Sequence, residues 1–112
     1  MSFEFNGKTI ETTATGFLVN QDDWSKDLAE QLATADGVAL TQKNWDVIDY
    51  LRDQYFNHNG EQPNTRHIVK AMSEKWGANL GQKDVYDLFP KDPSKQGGRI
   101  AGLPESRRKG GY

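Results

Sequence analysis

None of the 112 residues is a cysteine, and this decides first what the chain can fold into and what it can do. Disulfide staples are excluded, as are thiolate nucleophiles, persulfide carriers and cysteine-ligated zinc or iron–sulfur centres. The fold must therefore rest on an apolar core. A chain of this length builds one core and is too short for two domains. Two histidines, His58 and His67, are the only imidazoles, whereas a catalytic metal site needs about three protein ligands. No metal or cofactor is expected.

Only 35% of the residues are apolar and none forms a run long enough to span a bilayer, so no membrane association is expected. The first residues carry neither a basic flank nor an apolar stretch, which reads as a cytoplasmic protein without a signal peptide. Charge is divided unevenly. Residues 1–90 hold eight basic and 14 acidic side chains, residues 91–112 six basic and two acidic. An acidic body carrying a basic end suits an acidic or phosphate-bearing partner.

The pattern predicts a mostly helical α+β fold. Phe3-Glu4-Phe5 and Lys8 to Thr13 alternate around Asn6-Gly7, a hairpin signal, because both turn residues need positive φ. Phe17-Leu18-Val19 reads as a third short strand. A helix is predicted from Gln21 to Gly37, with Trp24, Leu28, Leu32 and Ala35 on its apolar face. A second starts at Thr41, buries Trp45, Ile48, Leu51 and Tyr55, and ends at His58-Asn59-Gly60. Pro63 opens a third, buried through Ile68, Val69, Met72 and Trp76 and stopped by Gly77. A short helix over Lys83 to Phe89 completes a helix-turn-helix-like pair. Around Ser94 to Ala101 the reading is one weak turn, since each glycine of Gly97-Gly98 costs up to about 1 kcal/mol in a helix. Residues 105–112, without periodicity, read as a flexible basic arm on a 1–104 domain.

No P-loop, dinucleotide fingerprint or nucleophile elbow is present. Asp46, Asp49 and Asp53 share one helical face and read as solvated. A DNA-reading helix over 82–89 would offer Gln82, Lys83, Asp84 and Asp87, a poor set against phosphate.

Leu88-Phe89-Pro90-Lys91-Asp92-Pro93-Ser94-Lys95-Gln96-Gly97-Gly98-Arg99-Ile100-Ala101-Gly102-Leu103-Pro104 resembles the signature of the DsrC/TusE family, the gamma subunits of dissimilatory sulfite reductase and the relay proteins of tRNA 2-thiouridine synthesis. Gly7-Lys8, Gly16-Phe17-Leu18, Trp24, Trp45, Arg52-Asp53, Tyr55 and Val69-Lys70-Ala71-Met72 extend the likeness over the chain. The resemblance implies a hairpin on a helical body with a swinging arm. It also implies a penultimate cysteine that carries sulfur and, in many members, a second one upstream. Here these positions are Gly111 and Gly98, and no other residue type bears a persulfide. The expected role is a non-catalytic, regulatory or docking partner of a sulfur-transfer or sulfite-reductase protein, not an enzyme. Its partner-binding residues would be Lys91, Lys95, Gln96, Arg99, Arg107, Arg108 and Lys109. The alternatives are a true sulfurtransferase-type relay component, or a DNA-binding regulator acting through the helix-turn-helix-like segment.

Overall fold

A computed structural model describes residues 2–104. Strands β1 (Ser2–Phe5) and β2 (Lys8–Glu11) pair antiparallel, with Phe3 opposite Ile10. Asn6 and Gly7 lie at φ 52° and 78°, the positive pair that a type I′ turn requires. Ile10 is fully buried, and Phe3 and Phe5 pack partly against the same core. The expected third strand is only an isolated bridge, Thr12 to Leu18. Its ladder is cut short on both sides. A tight turn closes before it, with Thr13 N donating to Phe17 O at 2.7 Å, and Asn20 caps a 3-10 turn over Gln21–Asp23 directly after it.

The predicted first helix begins later than its apolar spacing suggests. Trp24 is extended, and Ser25 caps α1 (Lys26–Ala35) by accepting from Leu28 N at 3.1 Å. A serine hydroxyl offers the free N–H groups a partner that the tryptophan lacks, so the helix starts there. Trp24 thus leaves the stripe, Ala35 is exposed, and Leu28, Ala29, Leu32 and Ala33 form the buried face. Asp36 follows, and Gly37 at φ 75° reverses the chain.

Helix α2 (Gln42–Asn57) buries Val47, Ile48 and Leu51, while Trp45 and Tyr55 are only partly covered. Buried Asn44 serves both the helix start and a distant turn. Its Oδ1 accepts from Thr41 N and Oγ1, and its Nδ2 donates to Leu88 O at 2.9 Å. Helix α3 (Thr65–Trp76) is capped by Asn64, whose Oδ1 accepts from His67 N at 2.9 Å. Pro63 therefore precedes the cap instead of opening the helix, because Asn64 holds the cap position. Gly77 ends α3 in the left-handed region.

Helix α4 is shorter than expected, Gln82–Tyr86, since the chain must turn before Pro90. Val85 and Phe89 anchor it in the core. The weak turn expected near Ser94 is instead a full helix, α5 (Pro93–Ile100). Asp92 caps it through Ser94 N and Lys95 N at 3.0 and 3.1 Å, and Pro93 takes the first position. The two glycines do not break it, because tertiary packing outweighs their propensity. A Cβ on Gly97 would stand 3.1 Å from Leu51 Cδ1, so its absence lets α5 press onto α2. Helix α5 packs against α1, α2 and α3 at the centre of the molecule.

Candidate functional site

The predicted site residues of the described chain sit on one side of α5, and the structure sorts them into two kinds. Lys91 is exposed and Lys95 half-buried. Among the described residues neither ammonium group has an ion-pair partner. Gln96 is turned inward, only 5% exposed. Its Oε1 accepts from Lys91 N at 3.0 Å and its Nε2 donates to Asp36 Oδ2 at 3.1 Å. Arg99 ion-pairs with the same carboxylate, and both side chains are largely covered. Burial pulls the Arg99 guanidinium below its usual value, while Asp36 compensates its charge in place. Gln96 and Arg99 therefore act as a frame. They fix the turn over Lys91 and join α5 to the end of α1, while Lys91 and Lys95 stay outside this frame.

These residues, with Thr15, Phe17 and Asp92, line an open depression of about 420 Å³. Phe17 is the only apolar residue of that lining, and Asp36 and Asp92 stand in it beside the basic side chains.

Gly98, where the resemblance places the upstream cysteine, is covered by the surrounding chain, yet a Cβ built on it meets nothing within 4 Å. Packing does not demand glycine there. Gly102 is the opposite case. It lies at φ 77°, and a Cβ would run into the Trp24 side chain. This explains the Ala101-Gly102-Leu103-Pro104 part of the motif physically. It is a helix end in which Leu103 N donates to Gly98 O at 3.0 Å and Gly102 N to Arg99 O at 3.1 Å.

Arg107, Arg108, Lys109 and Gly111, with the arm expected over 105–112, lie outside the described residues. The helix-turn-helix-like pair is present as α3 and α4, but α4 has five residues and presents carboxylates. Asp84 caps Gly81 N at 2.8 Å, and Asp87 pairs with Lys83 at 3.5 Å. His58 and His67 are both exposed. Among the described residues no three His, Asp or Glu side chains are placed to hold a metal ion, and no helix is long and apolar enough to cross a membrane. Sequence reading missed Asp36, the counter-charge that makes Arg99 structural. Only its position just before Gly37 marked it, as a helix end.

Known proteins agree with this architecture. Residues 4–108 match the profile of the family described as DsrC like protein. Sulfurtransferase TusE of Pectobacterium atrosepticum is 45% identical over 103 residues, 91% of this chain and 94% of that protein. TusE of Yersinia pestis gives the same figures, 45% over 103 residues, 91% and 94%. Among solved structures, DsrC of Allochromatium vinosum superposes with a TM-score of 0.84 at 35% identity, covering 96% of this chain and 98% of that one. The oxidized gamma subunit of dissimilatory sulfite reductase from Archaeoglobus fulgidus gives 0.86 at 31% identity with the same coverage, 96% and 98%. The chain belongs to the DsrC/TusE family. None of its 112 residues is a cysteine.

Proposed function

We propose that this protein is a non-catalytic member of the sulfur-relay family, which docks on a sulfur-transfer or sulfite-reductase protein and carries no sulfur itself. One observation supports the reading. The chain has no thiol, while Gln96 and Arg99 meet Asp36 and leave Lys91 and Lys95 without an ion-pair partner among the described residues. Persulfide transfer needs a sulfur nucleophile that becomes a thiolate, and no other side chain supplies one. The family relatives named TusE are called sulfurtransferases. On this reading the surface suited to a partner is kept without the group that would do the chemistry.

Two measurements test this. Incubated with a cysteine desulfurase, cysteine and a relay donor, the protein should gain no adduct of about 32 daltons, the mass of one sulfur atom. A stable sulfur adduct overturns the proposal. Used as bait, it should retain a relay or sulfite-reductase protein. Charge reversal at the two lysines, Lys91→Glu with Lys95→Glu, should weaken that retention by about tenfold at low salt. Arg99 is left unchanged in this test because reversing it would break the frame with Asp36. Equal retention by wild type and the double variant removes the strip from the account.

A further inference from the structure

A carboxylate is the least expected side chain at the end of α1. The carbonyl end of a helix carries partial negative charge, which favours cations and disfavours anions. Yet Asp36 caps that end, and the last turn of α1 holds no basic residue. Its counter-charge comes from α5, 63 positions later in the chain. Arg99 ion-pairs with Asp36 Oδ2, and Gln96 Nε2 donates to the same oxygen at 3.1 Å. One carboxylate oxygen therefore holds two side chains of one face of α5.

Each of those side chains also holds one of the two chain segments that bound the groove. Gln96 Oε1 accepts from Lys91 N at 3.0 Å, which fixes the segment running from Lys91 into α5 at Lys95. Arg99 lays its methylene stem against the other segment. That is the turn from Thr13 to Phe17, closed by Thr13 N to Phe17 O at 2.7 Å and Gly16 N to Thr13 O at 3.0 Å. Gly16 stands in it at φ 90°, and a Cβ there would touch Arg99 Cδ at 3.4 Å. Thr15 and Phe17 of this turn line the groove together with Lys91 and Lys95. The two segments come from opposite ends of the described chain, and they meet through Asp36.

Both carboxylates of the groove are already engaged. Asp36 serves Gln96 and Arg99, and Asp92 accepts from Ser94 N and Lys95 N as the cap of α5. Among the described residues the ammonium groups of Lys91 and Lys95 have no ion-pair partner. The charge left unanswered in the groove is positive, so the segment that complements it carries carboxylates.

We propose that Asp36 is the positioning residue of this groove: through Gln96 and Arg99 it holds both bounding segments, so that Lys91 and Lys95 meet the carboxylates of a partner protein's segment. This rests on the docking reading above. Positioning gives Asp36 an effect opposite in sign to that of its charge. As a bare negative charge it would repel an acidic segment, and its removal would tighten binding. As a positioning residue it supports binding, and its removal loosens the complex although the groove becomes more positive.

The test uses the full chain and fluorescein-labelled decaglutamate as probe, read by anisotropy at low salt. Lys91→Glu with Lys95→Glu should weaken binding about tenfold. Asp36→Asn keeps the shape and removes the charge, and should weaken binding about three- to fivefold. Gln96→Met keeps the volume and the charge of the groove but loses both hydrogen bonds, and should weaken binding by a similar factor of about three to five. Neither change should add to the loss once both lysines are reversed, because positioning acts only through those two side chains. Asp36→Asn leaves Arg99 without its counter-charge, so if that variant fails to fold, Gln96→Met carries the test alone. Wild-type affinity in Gln96→Met, or wild-type or tighter affinity in Asp36→Asn, overturns the positioning role while the docking reading stands. So does an effect of equal size with and without the two lysines. Unchanged affinity after reversal of both lysines, or no binding of decaglutamate by the wild type, overturns the docking reading itself.

Discussion

Helices α4 and α5 follow one another in the chain and reach stability by opposite routes. Helix α4, Gln82 to Tyr86, is free of glycine and has a carboxylate in its first turn. Its side-chain bonds are local: Asp84 to Gly81 N and Lys83 to Asp87. Val85 and, just beyond, Phe89 are its anchors, and Asn44 reaches the turn at Leu88. Helix α5 has two adjacent glycines and poor propensity, yet lies against three other helices, with its end held by residues 42 to 76 positions away. Local preference is a weak prior that burial and long-range bonding overrule. The two unpaired lysines stand on the tertiary-built side, where a rigid frame can present them.

The largest expected break in this contrast is Gly102→Ala. It combines a left-handed backbone with a collision against Trp24, and should cost about 2–5 kcal/mol. Urea unfolding measures it, and a loss below about 1 kcal/mol would show that the helix end is not rigid.

The adjacent pair Gly97 and Gly98 sharpens the same point. Gly97→Ala should destabilise by about 1 kcal/mol, because its Cβ presses on Leu51. Gly98→Ala meets open space and should stabilise by about 0.5–1 kcal/mol. Equal effects at the two positions would mean that propensity, not packing, governs α5.

On the α4 side, the neighbouring end of α3 is tied to α2 by Trp76 Nε1 donating to Asp46 Oδ2 at 2.8 Å. That bond, with smaller help from Gln42 and Lys75, holds the Asp46 carboxyl below its usual value against the opposing effect of burial. A carboxyl lowered in the folded state adds stability that is fully present above its unfolded value near 3.8 and lost as pH falls through the folded one. Trp76→Phe should therefore show a smaller drop in melting temperature between pH 5 and pH 2 than wild type. An unchanged acid limb would show that the bond does not persist in solution.

The smallest effect belongs to α4 itself. Lys83→Ala or Asp87→Ala should change stability by no more than about 0.5 kcal/mol, as expected of an exposed pair. A larger loss would make the local bonds of α4 decisive and close the gap between the two helices.

The candidate site was legible to different depths. Lys91 is exposed and Lys95 half-buried, the surface placement that a charged side chain without a partner predicts. Gln96 and Arg99 read the same way, yet the fold turns both inward to Asp36, which lies 60 and 63 positions earlier. Nothing in the pattern near Asp36 discloses those partners. Trp24 has the right spacing to be a helical core residue, but the cap at Ser25 removes it from the helix and frees it to grip α5.

By itself the sequence determined what is settled within a few residues. Asn6-Gly7 set the hairpin, Thr41 and Gly77 bounded helices, and the apolar periodicity chose the buried faces. These features depend on φ preference, capping and spacing, which a short window contains. The missing thiol is likewise a fact of composition, read without any fold. Tertiary structure alone decided that Gly97-Gly98 lies inside a helix, and that Arg99 is a strut to Asp36 while Lys95 has no ion-pair partner among the described residues. Each of those outcomes depends on hydrogen bonds and contacts between residues far apart in the chain, and their partners are named only when packing brings them together.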